Sequence, residues 1–145
     1  MARYLIDTNV LLRAAAPKSV HFAAAVEAIK QLASRGDELL LAPQVLMEFW
    51  AAATRPVAVN GYGWSAAEAE AKVVELLRQF PLLPETPAVF VEWLRLVILH
   101  GILGKQAHDA RLVALLNTHS VPQLLTFNVG DFRRYGIVVV SPEQV

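Results

Sequence analysis

An α/β domain with a mainly parallel sheet and helices on both faces is predicted by three features of the sequence. Short apolar runs alternate with segments of helical period, Pro43 opens a helix directly after the run ELLLA, and Ser65 with Glu68 forms a capping box ahead of another helix. In order, YLID is a buried strand that stops at turn-forming residues, and a helix follows it. Phe22, Val26, Ile29 and Leu32 recur at helical spacing between about Val20 and Ser34, and Gly36 ends that helix. ELLLA is a second buried strand, and proline is tolerated in a first helical turn, so PQVLMEFWAAAT is a helix.

RPVAVNGYGW, with two glycines, a proline and an asparagine, is expected to be the most mobile loop. AAEAEAKVVELLRQF is a helix behind Ser65, and LLPE a short strand. Pro87 opens a helix through PAVFVEWLRLVILHG, and Gly104 separates it from one spanning roughly Gln106 to Thr118. PQLLTF and GIVVVS are the last strands. Residues 1–145 are expected to form one domain, without repeats, low-complexity tracts or linkers.

Composition narrows the function. Thirteen basic residues balance thirteen acidic ones, which excludes a strongly basic nucleic-acid binder, so any phosphate binding must be local. The absence of cysteine excludes disulfides, thiolate zinc sites and thiol catalysis, and the four histidines lack HExxH spacing. Asp7 interrupts the N-terminal apolar run, and no stretch approaches the roughly 18 apolar residues of a membrane span, so a soluble cytoplasmic protein is expected. Apolar residues make up 55% of the chain and mean hydropathy is +0.41, an apolar surplus that points to a partner or a dimer.

The chemistry lies in the acids. Asp7 closes the first strand, and a carboxylate between YLI and VLL serves either as a helix cap or as a metal ligand. Asp109 heads a stripe formed with Leu112, Val113 and Leu116 and is expected to point inward, while Asp131 follows the strand PQLLTF. In parallel sheets ligands bind beyond the carboxyl ends of the strands, where Asp7 and Asp131 fall. Glu48 has small neighbours, Ala51 and Ala52, one turn on, which leaves room beside it. Converging carboxylates repel one another, and a hard divalent cation, Mg²⁺ or alternatively Mn²⁺, relieves that repulsion. One such ion, or two about 3.5–4 Å apart, suits phosphodiester hydrolysis. Taken singly, each acid reads as a cap or a solvated residue; together they favour a metal site. His108 reads as a surface residue at a helix start, Asn128 as a turn cap before Gly130, and Trp50, Trp64 and Trp93 as packing residues.

The motifs LIDTNVLL, AHDARLVALL and LLTFNVGDFRRYGIVVVSPEQV resemble those of the PIN-domain family, and in particular its VapC-type toxin ribonucleases. The resemblance runs end to end and implies a PIN-like three-layer sandwich and a Mg²⁺-dependent endoribonuclease. It also implies an RNA substrate, a homodimer and a cognate antitoxin. Position by position, Asp7, Glu48 and Asp109 match the family's acidic triad and Asp131 its less regular fourth acid. Asp7 and Asp109 are the first choice as metal ligands, with Glu48 holding a second ion or positioning water. Thr126 and Asn128 match a supporting polar pair, and Thr8 and Asn9 flank Asp7.

Arg13, Arg133 and Arg134 lie nearest the acids in sequence, either as RNA phosphate contacts or as neutralising surface charges. VFVEWLRLVILHGILG is apolar nearly all round, so it is expected to be buried in the core, a dimer interface or an antitoxin groove. The competing functional readings are a silent PIN-like binding module and a PIN nuclease acting on DNA flaps or in rRNA maturation.

Overall fold

The structure is a computed structural model describing residues 1–145. Strand β1 (Arg3–Ile6) carries the first apolar run, and helix α1 (Thr8–Ala14) leaves it at once, with Asp7 as N-cap. Helix α2 (Phe22–Ser34) turns Ala25, Ala28 and Leu32 inward, and Gly36 follows it in the left-handed region at φ 82°. Strand β2 (Glu38–Leu40) pairs parallel to β1. Helix α3 (Pro43–Thr54) buries Val45, Leu46, Phe49 and Ala53, the inward stripe of an amphipathic helix.

Helix α4 (Ala66–Gln79) begins with the expected capping box, Ser65 Oγ accepting from Glu68 N–H at 3.1 Å and Glu68 Oε1 accepting from Ser65 N–H at 3.2 Å. Helices α5 (Pro87–His100) and α6 (Gln106–Thr118) follow. Ala110 and Leu112 through Leu116 of α6 are all buried. Strands β3 (Gln123–Leu125) and β4 (Val138–Val140) complete a four-stranded, wholly parallel sheet of order β2-β1-β3-β4. The chain steps from β1 to one edge and then returns across β1 to the other. Right-handed crossovers in opposite directions put helices on both faces. Ile6 and Leu125 end β1 and β3 side by side, where the order reverses and the connections diverge. No helix is long and apolar enough to cross a membrane.

Two segments differ from expectation. LLPE contributes only a single bridge, Leu82 to Leu41, because prolines on both sides remove the ladder donors a strand needs. The loop expected to be most mobile is fastened to α3: Tyr62, Gly63 and Trp64 donate backbone N–H groups to Ala52, Arg55 and Ala53 carbonyls. A Cβ at Gly61 would lie 1.9 Å from the Arg55 carbonyl oxygen, so only glycine fits this return. Helix α5, expected in the core, a dimer interface or an antitoxin groove, is not enclosed by the core: it buries only Val89 and Leu96. Phe90, Val91, Leu94, Ile98, Leu99 and the following Leu103 face outward, because α5 packs on α6 along one stripe. The tryptophans divide. Trp64 lies edge-on to Phe49 and Trp93 donates to the Ala107 carbonyl at 2.8 Å, while Trp50 is partly exposed on α3.

Candidate active site

At the carboxyl ends of β1 and β3, Asp7 is buried, and every near contact it makes follows from the local chain path. Its backbone N–H continues the sheet by donating to the Leu125 carbonyl at 2.9 Å. Its Oδ1 accepts from Thr8 N–H at 2.8 Å, satisfying one of the free donors at the start of α1. Its Oδ2 accepts from the Thr126 hydroxyl at 2.8 Å and from Asn9 Nδ2 at 3.2 Å. The cap and the candidate metal ligand are therefore one residue.

Thr126, wholly buried, is the hub of this network. Its single hydrogen goes to Asp7, and its oxygen accepts from Asn9 Nδ2 and from Asn128 N–H, both at 3.0 Å, which uses the full capacity of a hydroxyl. Asn9 Oδ1 accepts from Phe127 N–H at 3.0 Å, which stops β3 short of the expected PQLLTF strand and ties its continuation to α1. Asn128 enters the network through its backbone, and its side chain makes no capping bond.

Glu48 and Asp109 lie near Asp7, and Asp131 lies near Asp109. Burial, outweighing the Thr126 and Thr8 hydrogen bonds, pushes the Asp7 pKa up to about 6, with Glu48 and Asp109 adding repulsion. Asp109, half-buried in the first turn of α6, is also raised. Burial is the main cause, Asp131 and Glu48 add to it, and His108 and Arg134 oppose it. No hydrogen bond holds the Asp109 carboxylate. Glu48 is exposed yet held from two sides: Gln44 Nε2 donates to its Oε1 at 2.9 Å, and Oε2 lies 3.3 Å from the Thr8 hydroxyl. Thr8 Oγ1 is also 3.1 Å from the Val45 carbonyl. Asp131 is exposed in the 3-10 stretch Val129–Tyr135.

The three arginines take different places. Arg13 lies over the Phe127 ring at 4.9 Å and bonds the Asn9 carbonyl, Arg134 is close enough to Asp109 to lower its pKa, and Arg133 is exposed at the end of the 3-10 stretch.

No three of these side chains converge tightly enough to enclose an ion unaided. Magnesium does not need a cage, since it usually keeps several waters and takes one or two carboxylates plus substrate phosphate. The available donors, carboxylates and hydroxyls without sulfur, suit a hard cation, as does a buried carboxylate whose charge its neighbours oppose.

The sequence profile of the PIN domain matches residues 4–138. The chain belongs to the PIN-domain family. It is 30% identical over 133 residues to the ribonuclease VapC24 of Mycobacterium tuberculosis, covering 90% of each chain. Among solved structures, VapBC2 from Rickettsia felis, bound to a DNA fragment from its promoter, superposes with a TM-score of 0.70 at 15% identity. That match covers 96% of this chain and 98% of the other. VapC20 of Mycobacterium tuberculosis, a toxin that cleaves the sarcin–ricin loop, gives 0.67 at 19% identity over 93% and 96%. At such identities the structural likeness is one of fold.

Two residues of this PIN domain escaped the sequence reading. Gln44 reaches Glu48 and also donates to the His108 carbonyl at 2.9 Å, and Arg111 Nη1 donates to Gln44 Oε1 at 2.8 Å. The spacing of Gln44 and Glu48 at i and i+4 was the available signal.

Proposed function

We propose that this PIN domain is a VapC-type toxin, an endoribonuclease that hydrolyses RNA phosphodiester bonds with Mg²⁺, Mn²⁺ being the alternative ion. The observation that carries the reading is the buried Asp7 carboxylate, fixed by Thr8, Asn9 and Thr126 and set among Glu48 and Asp109 in a chain of this family. VapC24, of matching length, is named a ribonuclease, which supports the same activity here.

Asp7 and Asp109 would hold the cation. The first is oriented by three donors, and the second is free of protein hydrogen bonds. When bound, the ion makes water acidic enough to attack phosphorus near neutral pH and offsets charge on the phosphoryl oxygens. Glu48, steadied by Gln44 and Thr8, would orient the attacking water or help hold a second ion, and Asp131 would act from the outer rim. Arg134 beside Asp109, Arg13 against Phe127 and Arg133 on the same 3-10 stretch are the cations available to an RNA backbone.

A cognate antitoxin and a homodimer complete the proposal, with the exposed apolar face of α5 available to cover. The direct experiment is cleavage of tRNA and rRNA by purified protein in Mg²⁺, with and without EDTA, alongside Asp7→Asn. Loss of cleavage in both controls is expected, and cleavage that survives either overturns the metal mechanism.

A further inference from the structure

We propose that Gln44, held by Arg111, is the positioning residue that sets Glu48 against the Asp109-bearing turn of α6; this rests on the nuclease reading above. The amide of Gln44 has two hydrogens and both are used, one on Glu48 Oε1 and one on the carbonyl of His108, the residue before Asp109. Its oxygen accepts from Arg111 Nη1 at 2.8 Å. Turning the amide over would set its oxygen against a carboxylate and a carbonyl and its NH₂ against a guanidinium, so Arg111 fixes which way it points. Arg111 is fixed in turn, with Nη2 on Glu85 Oε1 at 2.9 Å.

The result is a chain of contacts, Glu85 to Arg111 to Gln44 to Glu48 to Thr8, that crosses from α6 to α3 to α1. A glutamate exposed on a helix ordinarily samples several rotamers, and here both of its oxygens are occupied. The same amide ties α3 to the turn that carries Asp109. Gln44 therefore controls both the direction of one carboxylate and its distance from another. A group that orients a metal-site carboxylate in this way typically changes metal affinity about 10- to 100-fold when removed.

The test compares wild type, Gln44→Met, Arg111→Met, Glu48→Gln and the double variant Gln44→Met/Glu48→Gln. Mn²⁺ affinity is read by calorimetry, and cleavage kinetics and melting by separate assays. Gln44→Met is expected to melt close to wild type, bind Mn²⁺ about tenfold more weakly and lose kcat. Arg111→Met should act in the same direction, which keeps the idea testable if Gln44→Met folds poorly. Gln44→Met should add nothing once Glu48 is already Gln. Wild-type affinity in Gln44→Met, or an equal loss with and without Glu48, would show that Gln44 merely joins two helices. Wild type that neither binds Mn²⁺ nor cleaves RNA would instead refute the nuclease reading itself.

Discussion

Removing the charge from Asp7 should stabilise the metal-free protein. Its carboxyl pKa rises from 3.8 to about 6 on folding, so between these values the folded protein keeps a proton that the unfolded chain has released. Stability therefore falls as pH rises through that window. A change of this size makes ionised Asp7 unfavourable by about 3 kcal/mol at pH 7 and by about 1 kcal/mol at pH 4.5. Asp7→Asn keeps an acceptor for Thr8 N–H but sets an amide NH₂ against Asn9 Nδ2 and Thr126, whose oxygen already has two donors. That mismatch returns about 1 kcal/mol.

The net expectation for Asp7→Asn is a gain of about 2 kcal/mol at pH 7.5, or roughly 5–8 °C in melting temperature, shrinking to nothing near pH 4.5. Scanning calorimetry in EDTA across that pH range measures it. Divalent cation at about 100 times its dissociation constant should add about 2.7 kcal/mol to wild type and little to the variant, closing the gap. A variant less stable than wild type at pH 7.5 in EDTA, or a gain independent of pH, would refute the reasoning.

Other substitutions probe separate features. Thr126→Val removes a donor to a carboxylate, takes away one of the two acceptors of Asn9 Nδ2 and leaves Asn128 N–H without its acceptor, so urea melts should show a loss of about 2–4 kcal/mol, and Thr126→Ser about 1. Gly61→Ala, driven into the Arg55 carbonyl, should lower thermal stability by at least about 1–3 kcal/mol and expose the 55–64 loop to proteolysis. Ile98→Lys, on the outward face of α5, should leave folding within about 0.5 kcal/mol by calorimetry. In light scattering the same variant should shift any dimer to monomer, and an unchanged mass would separate this face from self-association.

What the sequence revealed depended on how local the cause was. The capping box, Pro43 and the stop at Gly36 act within a turn, and the elements they bound appear at those positions. The parallel sheet followed from alternating elements. Asp7 drew notice because a charge inside an apolar run must be accounted for. Gln44 did not, because its meaning depends on His108, 64 residues away, and on Arg111, 67 away. An all-apolar helix does not reveal how much of itself its own domain covers, so the outward face of α5 emerged only from packing. LLPE failed as a strand because strand runs depend on donors that its prolines lack.

The saturation of Thr126 has a bearing on how anything arrives at Asp7. With the hydroxyl, both Asn9 amide atoms and two backbone N–H groups committed to one another, the inner side of the carboxylate is closed to water and to side-chain rearrangement. Three of the carboxylate's roughly four lone pairs are taken, two on Oδ2 and one on Oδ1, which leaves one on Oδ1 for a ligand. The ordering entropy of the site is thus expended during folding, before any ligand is met. An ion bound as proposed would meet a carboxylate with almost no conformational search left, so the speed of its capture should be set by ion dehydration rather than by motion of the protein.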